Sequence, residues 1–400
     1  MTTNPLTVLR AAWLFDGTGD TLTPDPAVVL DGGKIVAIGT EVPGGATVVD
    51  LGEATILPGL VDTHVHLAFD SSFDPVAGLA GRDDAEAFAA MAAAARAAAR
   101  GGVTTVRDLG DRGFLSLGLR DAAASDPTLP TIVAAGPPIT SPGGHCHFLG
   151  EEADGADGIR AAIREHAARG VDVIKIMASG GNMTPGSKPE LAQFGLDELR
   201  VAVEEAHRHQ LPITAHAHGT QAIVDAVAAG VDGLEHVSFM TEDGVDEIPP
   251  GLLATLVERQ TALGATLGFV PVPGVEMPPA LATRMAAMEA NLRKLYEAGA
   301  LIVAGTDAGI APVKPPDVLR SALTQLLGLG MSPAEALRAC TSRAAAVVGL
   351  GDRKGRIAPG YDADVLVVDG DPLRDPGALH RIRAVYVRGS SADRVNAALV

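Results

Sequence analysis

Over the first fifty-odd residues, aliphatic and β-branched positions come in short runs (Ala27–Leu30, Lys34–Ile38, Thr47–Leu51), each closed by Gly, Pro or Asp. Runs of that length between turn formers predict a small antiparallel sheet without a helix. The same texture returns in Ala363–Val368 and Ile382–Val387. The two ends of the chain are therefore expected to complete one β-sandwich, residues 1–56 with 355–400, and residues 57–354 to be inserted between them.

In the inserted part the pattern changes to apolar strand candidates separated by Ala-rich amphipathic stretches, the alternation of parallel βαβ units. Eight strands are predicted: Gly59–His66, Val103–Asp108, Thr131–Gly136, Val173–Met177, Ile213–His216, Gly233–His236, Ala265–Phe269 and Ile302–Thr306. Eight such units over roughly 250 residues suit an α/β fold of the (β/α)8 barrel (TIM barrel) type, in which reactive groups gather at the carboxyl ends of the strands. The run Ala85–Arg100 reads as an ordinary helix packed on that barrel.

The chemistry-bearing residues fall at those ends. His64 and His66, at i and i+2 of the first strand, point to the same side. Alone, the pair suits either a metal site or two lining histidines. Lys175 lies inside the apolar fourth strand, where a free ammonium is costly to bury, so it needs a carboxylate partner or conversion by carbon dioxide to a carbamate able to bridge two cations. His216 and His236 end the fifth and sixth strands, one βαβ repeat apart, and offer nitrogens to a second cation. His218, in the turn beyond His216, is assigned to the surroundings of the metals or to the substrate. Asp307 ends the eighth strand and suits a metal ligand that also moves a proton, or a helix N-cap. Taken jointly, the order His-x-His, Lys, His, His, Asp on strands one, four, five, six and eight points to metal chemistry.

Composition narrows the function. A net charge of −18 with no clustered basic segment excludes nucleic acid and anionic membrane as partners and leaves a small-molecule substrate. The sequence leaves homo-oligomerisation open. The start lacks the features of a signal peptide and no apolar run is long enough to span a bilayer, so a cytoplasmic location is expected. Cys146 and Cys340 form no C-x-x-C pair, which leaves no thiol-rich zinc site or disulfide framework.

These residues resemble the amidohydrolase superfamily, in the binuclear branch with a carboxylated lysine. The likeness spans the sheet-forming ends, the entry LPGLVDTHVHL, and the exit MSPAEALRACTSRAAAVVGL followed by GRIAPGYDADVLVVD. It implies that His64, His66 and Asp307 hold one divalent ion, zinc by default, that His216 and His236 hold the other, and that the carbamate of Lys175 holds both. ITSPGGHCHFLG is similar to the Gly-Gly-His loop of the prolidase-like and imidazolonepropionase-related group, which casts His145 as the residue polarising a substrate carbonyl. Mononuclear imidazolonepropionases and deaminases lack the bridging lysine. The implied reaction is attack of a metal-bridging hydroxide on an amide-type bond of a dipeptide or N-acyl amino acid, with Asp307 relaying the proton. Lactone, carbamate or organophosphate hydrolysis would use the same ligands, and a catalytically silent scaffold would have no need of them.

The remaining polar residues are assigned bland roles. His166, His207, His209 and His380 are expected to be solvated, Arg107 and Arg112 to make surface ion pairs, and Cys146 to be a buried loop thiol rather than part of a third metal site with His145 and His147. ASGGNMTPG lacks the Gly-Lys-Ser/Thr ending of a phosphate loop and reads as a wall of the active site.

Overall fold

The computed structural model describes residues 6–392. Eight parallel strands alternate with helices: β1 (Leu60–Val65), β2 (Val103–Asp108), β3 (Thr131–Ala134), β4 (Ile174–Met177), β5 (Ile213–Gly219), β6 (Gly233–Met240), β7 (Ala262–Thr266) and β8 (Ile302–Gly305). They form a three-stranded sheet, β3-β2-β1, and a five-stranded one, β4 through β8 in order. At the two seams the sheets touch through single parallel bridges, Ile139 with Ile176 and Val65 with Ala308. Strands such as β1 and β2 are buried along their whole length, as expected where helices cover one face and packed side chains the other.

Local chemistry sets many boundaries. The helix Asp84–Arg100 opens on a reciprocal cap in which the Asp83 carboxylate accepts from the Glu86 amide and the Glu86 carboxylate from that of Asp83, and it ends at Gly101. Strand β7 starts and ends three residues before its predicted span. The Ala262 amide is already bonded to the Asp232 carbonyl, and Gly268, at φ +85°, turns the chain outward and leaves Phe269 exposed. Strand β6 runs four residues beyond its predicted end, through left-handed backbone at His236, Val237 and Phe239.

The chain ends meet. One sheet has the order Lys34–Gly39, Ala27–Asp31, Thr7–Arg10, Thr47–Asp50; the other has the order Ser390–Ser391, Ile382–Val387, Val365–Asp369, Ala54–Pro58, Trp13–Leu14, Thr23–Pro24. Leu9, Val28 and Ile35 from the first pack with Ile56, Val365 and Val367 from the second in one apolar cluster. The purely antiparallel arrangement expected from sequence is corrected here. Thr7–Arg10 runs parallel to Thr47–Asp50, and Trp13–Leu14 parallel to Ala54–Pro58, because each pair is joined by a long excursion rather than a hairpin.

Buried Lys354 fastens the return into this region. Its Nζ donates to Asp362 Oδ2 at 2.9 Å and to Asp364 Oδ2, while Lys34 and Arg353 also reach Asp362. Burial opposes ionisation of Asp362, but the three cations more than offset it and hold its carboxyl at about 2. Two outcomes are expected. Lys354→Met leaves two buried carboxylates without their shared cation and should lower unfolding stability by about 3 kcal/mol, read by urea denaturation. Because the folded-state pKa of Asp362 lies below its unfolded value of about 4, its contribution is present above about pH 4 and disappears as pH falls through about 2. The acid limb of stability against pH should therefore flatten in Asp362→Asn.

Candidate metal centre

Strands β1 and β8 bring the His64 and His66 pair together with Asp307, 307 − 64 = 243 residues after His64 in the sequence. His64 Nε2 lies 3.3 Å from His66 Nε2, and Asp307 Oδ1 lies 3.4 Å and 3.2 Å from those two nitrogens. Ligands bound to one tetrahedral zinc at ~2.0–2.1 Å stand ~3.3 Å from one another, so the spacing is that of a shared cation. The imidazoles are also turned for it. Nδ1–H of His64 donates to Glu235 Oε2 at 3.0 Å and that of His66 faces the Gly110 carbonyl at 3.3 Å, which leaves both Nε2 lone pairs directed at the common point.

A second cluster, His216, His218 and His236, offers nitrogens within 4.8 Å of one another. Its rings pack at centroid distances of 4.3–4.7 Å, and His236 stands 5.2 Å from His64, so the two clusters adjoin. His218, assigned from sequence to the surroundings, sits in this cluster because β5 remains extended through Gly219, which keeps i and i+2 on one side. His216 Nε2–H donates to the Gly180 carbonyl at 2.9 Å and frees Nδ1.

Lys175 is 1% exposed, and its Nζ has no hydrogen-bond partner among the described residues. Burial depresses the amine to about 8, against the pull of Glu235 and Asp307. His145 is buried beside His216, at 4.9 Å between centroids, and its Nδ1 is likewise without a partner. Gly181 makes room for it: a Cβ there would fall 2.4 Å from His145 Nε2.

Electrostatics keep the imidazoles ready to ligate. Burial, reinforced by the charge on Lys175, pushes His64 down to about 4; burial and His218 push His145 to about 3; burial pushes His218 to about 4, and His216 and His236 fall well below their ordinary value. His66 moves up, because Asp307 outweighs its burial. Burial alone would raise Asp307, but His64 and His66 hold its carboxyl far below the usual range. Neutral imidazoles and an ionised carboxylate are the forms that bind metal. The backbone is strained at one residue of each cluster: Asp307 has φ +62° and His236 φ +72°.

Several supporting residues escaped the sequence reading. Glu235 is 1% exposed and serves as a hub: Oε1 accepts from Arg107 Nη2 at 2.8 Å and from Thr214 Oγ1 at 2.7 Å, and Oε2 accepts from His64. Burial would raise its pKa, but Arg107 and His64 hold it at about 2. Arg107 is thus buried rather than part of a surface pair. The signal was present in GLEHV, an acid inside an apolar strand. Asp62 accepts from the His64 and Thr306 amides and the Thr306 hydroxyl, tying β1 to β8. His166, expected in solvent, is fully buried on the Ala162 and Pro137 carbonyls, with its ring against Phe114. Arg112 does pair with exposed Asp84, and Cys146 is a buried thiol lying outside both clusters.

Known proteins share this framework. The Amidohydrolase family model matches residues 55–392. An ochratoxinase from Aspergillus niger is 30% identical over 420 residues, covering 95% of this chain and 84% of that protein. An imidazolonepropionase from Deinococcus deserti is 27% identical over 388 residues, covering 88% of this chain and 87% of the other. The crystal structure of a Xaa-Pro dipeptidase with methionine bound in its active site superposes with a TM-score of 0.83 at 26% identity, covering 96% of this chain and 99% of that one. With the family match running over most of its length, from Thr55 in the strand Ala54–Pro58 to Ala392, this chain belongs to the amidohydrolase family.

Proposed function

We propose that the chain is a metal-dependent hydrolase that cleaves an amide-type bond in a dipeptide or N-acyl amino acid. The observation carrying this reading is the 3.2–3.4 Å triangle of His64 Nε2, His66 Nε2 and Asp307 Oδ1, which brings lone pairs and negative charge together in a buried space that only a cation or protons can neutralise. The donor set fits a pair of divalent ions, with zinc the first choice for imidazole and carboxylate. His64, His66 and Asp307 would hold one, and His216 and His236, with His218 beside them, the other. Lys175, buried and without a hydrogen-bond partner among the described residues, would serve both as a carbamate formed with carbon dioxide. When bound, such ions polarise a carbonyl and lower the pKa of water.

The chain's own groups would supply the rest. Asp307 would take a proton at its carboxylate and deliver it to the leaving nitrogen. His145, held neutral and with Nδ1 unused, would donate to the substrate carbonyl oxygen and oppose the charge developing there. The resemblance to a Xaa-Pro dipeptidase and an ochratoxinase supports a substrate of the dipeptide or N-acyl amino acid class. We further read the two parallel sheets as a closed (β/α)8 barrel spanning 57–354, supported by the bridges at both seams, with residues 1–56 and 355–400 as a separate β-sandwich domain.

Zinc- and bicarbonate-reconstituted protein should release amino acids from a library of dipeptides and N-acyl amino acids, with selectivity for one carboxy-terminal residue. No release from protein carrying two ions per chain would overturn the amide assignment and leave the metal site standing. Asp307→Asn should lower kcat by about 10²–10⁴ with metal content near normal; turnover retained would remove Asp307 from the proton-transfer role. Lys175→Met should bind fewer than two zinc ions per chain by elemental analysis, whereas a full complement would show that the lysine is no ligand.

A further inference from the structure

At the amino-terminal ends of β4 through β8, opposite the histidine clusters, lies a cavity of about 450 Å3. That volume lies within the range of small-molecule sites. Its mouth is formed by residues at or just before strand starts, among them Ile213, Gly233 and Ala262, and by Val347 of the helix Ser342–Val347. Three arginines line it, Arg107, Arg259 and Arg343, against one acid, Asp232. In a chain of net charge −18 this local excess of positive charge stands out.

The charges are not equally occupied. Asp232 is engaged, its Oδ2 accepting from the Ile213 amide at 2.8 Å and facing His207 Nε2 at 2.9 Å. Arg107 is spanned by Glu235 and the Thr63 carbonyl. Arg259 donates Nη1 to the Val227 carbonyl. Arg343 is half-buried and makes no hydrogen bond or ion pair among the described residues; burial and the neighbouring Arg338 disfavour its charge, and Glu335 and Tyr296 favour it more weakly. Its guanidinium carries five donors, which remain available to an acceptor entering the cavity. Beside it Val173, Val231, Leu301 and Val347 supply apolar walls.

We propose that this cavity is a second binding site, for a small organic carboxylate whose anionic end is held by Arg343 and Arg259 and whose apolar body lies against the valines. Arg107 forms part of the cavity wall and also bonds Glu235, which orients His64. One chain of two buried hydrogen bonds therefore joins this site to the metal ligands.

Sodium benzoate is the probe, titrated by calorimetry into metal-loaded protein. The expected result is a saturable event in the millimolar range or tighter that Arg343→Leu weakens at least tenfold and that Val347→Trp, which fills the apolar part, abolishes. Circular dichroism checks both folds. Arg343 is partly exposed, so its variant carries the test alone should Val347→Trp misfold. Absence of a saturable event, or one with unchanged affinity in Arg343→Leu, would overturn the proposal.

Discussion

The site depends on one electrostatic constraint: charge must balance inside a volume that water does not screen. Five imidazoles, a lysine and a carboxylate converge there; His64, His66, Lys175, His216 and Asp307 are buried and His218 and His236 half-buried. Unpaired charge in such a place costs several kcal/mol or shifts its own protonation. His64, His145, His216, His218 and His236 respond by staying neutral, whereas Asp307 favours the charged form of His66. Glu235 stays ionised because Arg107 and His64 flank it, and it sets the ring orientation of His64 in return. Lys175 finds no hydrogen-bond partner among the described residues, and burial lowers its pKa to about 8.

Packing around that volume is matched to it by small residues. A Cβ at Gly305 would fall 2.7 Å from that of His64, and one at Gly264 would collide with Glu235 Oε2. Left-handed backbone at His236 and Asp307 turns the two strand ends toward the shared space. That strain, of order 1–3 kcal/mol per residue, persists because neighbouring hydrogen bonds over-determine the conformation. The Asp307 amide, for one, is held by the His64 carbonyl at 2.8 Å.

The terminal sheets act on the same framework from a distance. Ala54–Pro58 pairs with Val365–Asp369, so the strand leading into β1 is held by the strand that follows the last helix. Lys354 with Asp362 and Asp364 fixes the same junction electrostatically. The chain is thus tied closed where it enters and leaves the parallel strands.

Periodicity along the sequence determined the order of elements, because eight apolar runs with helical spacers and β-branched runs at both ends depend only on local burial pattern. Strand position made His64, His66, Lys175, His216, His236 and Asp307 legible as candidates, and for His64 and His66 the i, i+2 spacing put both on one face whatever surrounds them. Sheet direction at the chain ends, the late end of β6 and the early end of β7 were not legible, because they follow from which strands become neighbours. Glu235 with Arg107 and His166 with its two carbonyls were hidden for the same reason: a partner 128 residues away leaves no local trace. Tertiary structure alone decided that His218 joins the second cluster and that Lys175 has no hydrogen-bond partner among the described residues, because both facts depend on distances that no one-dimensional pattern records.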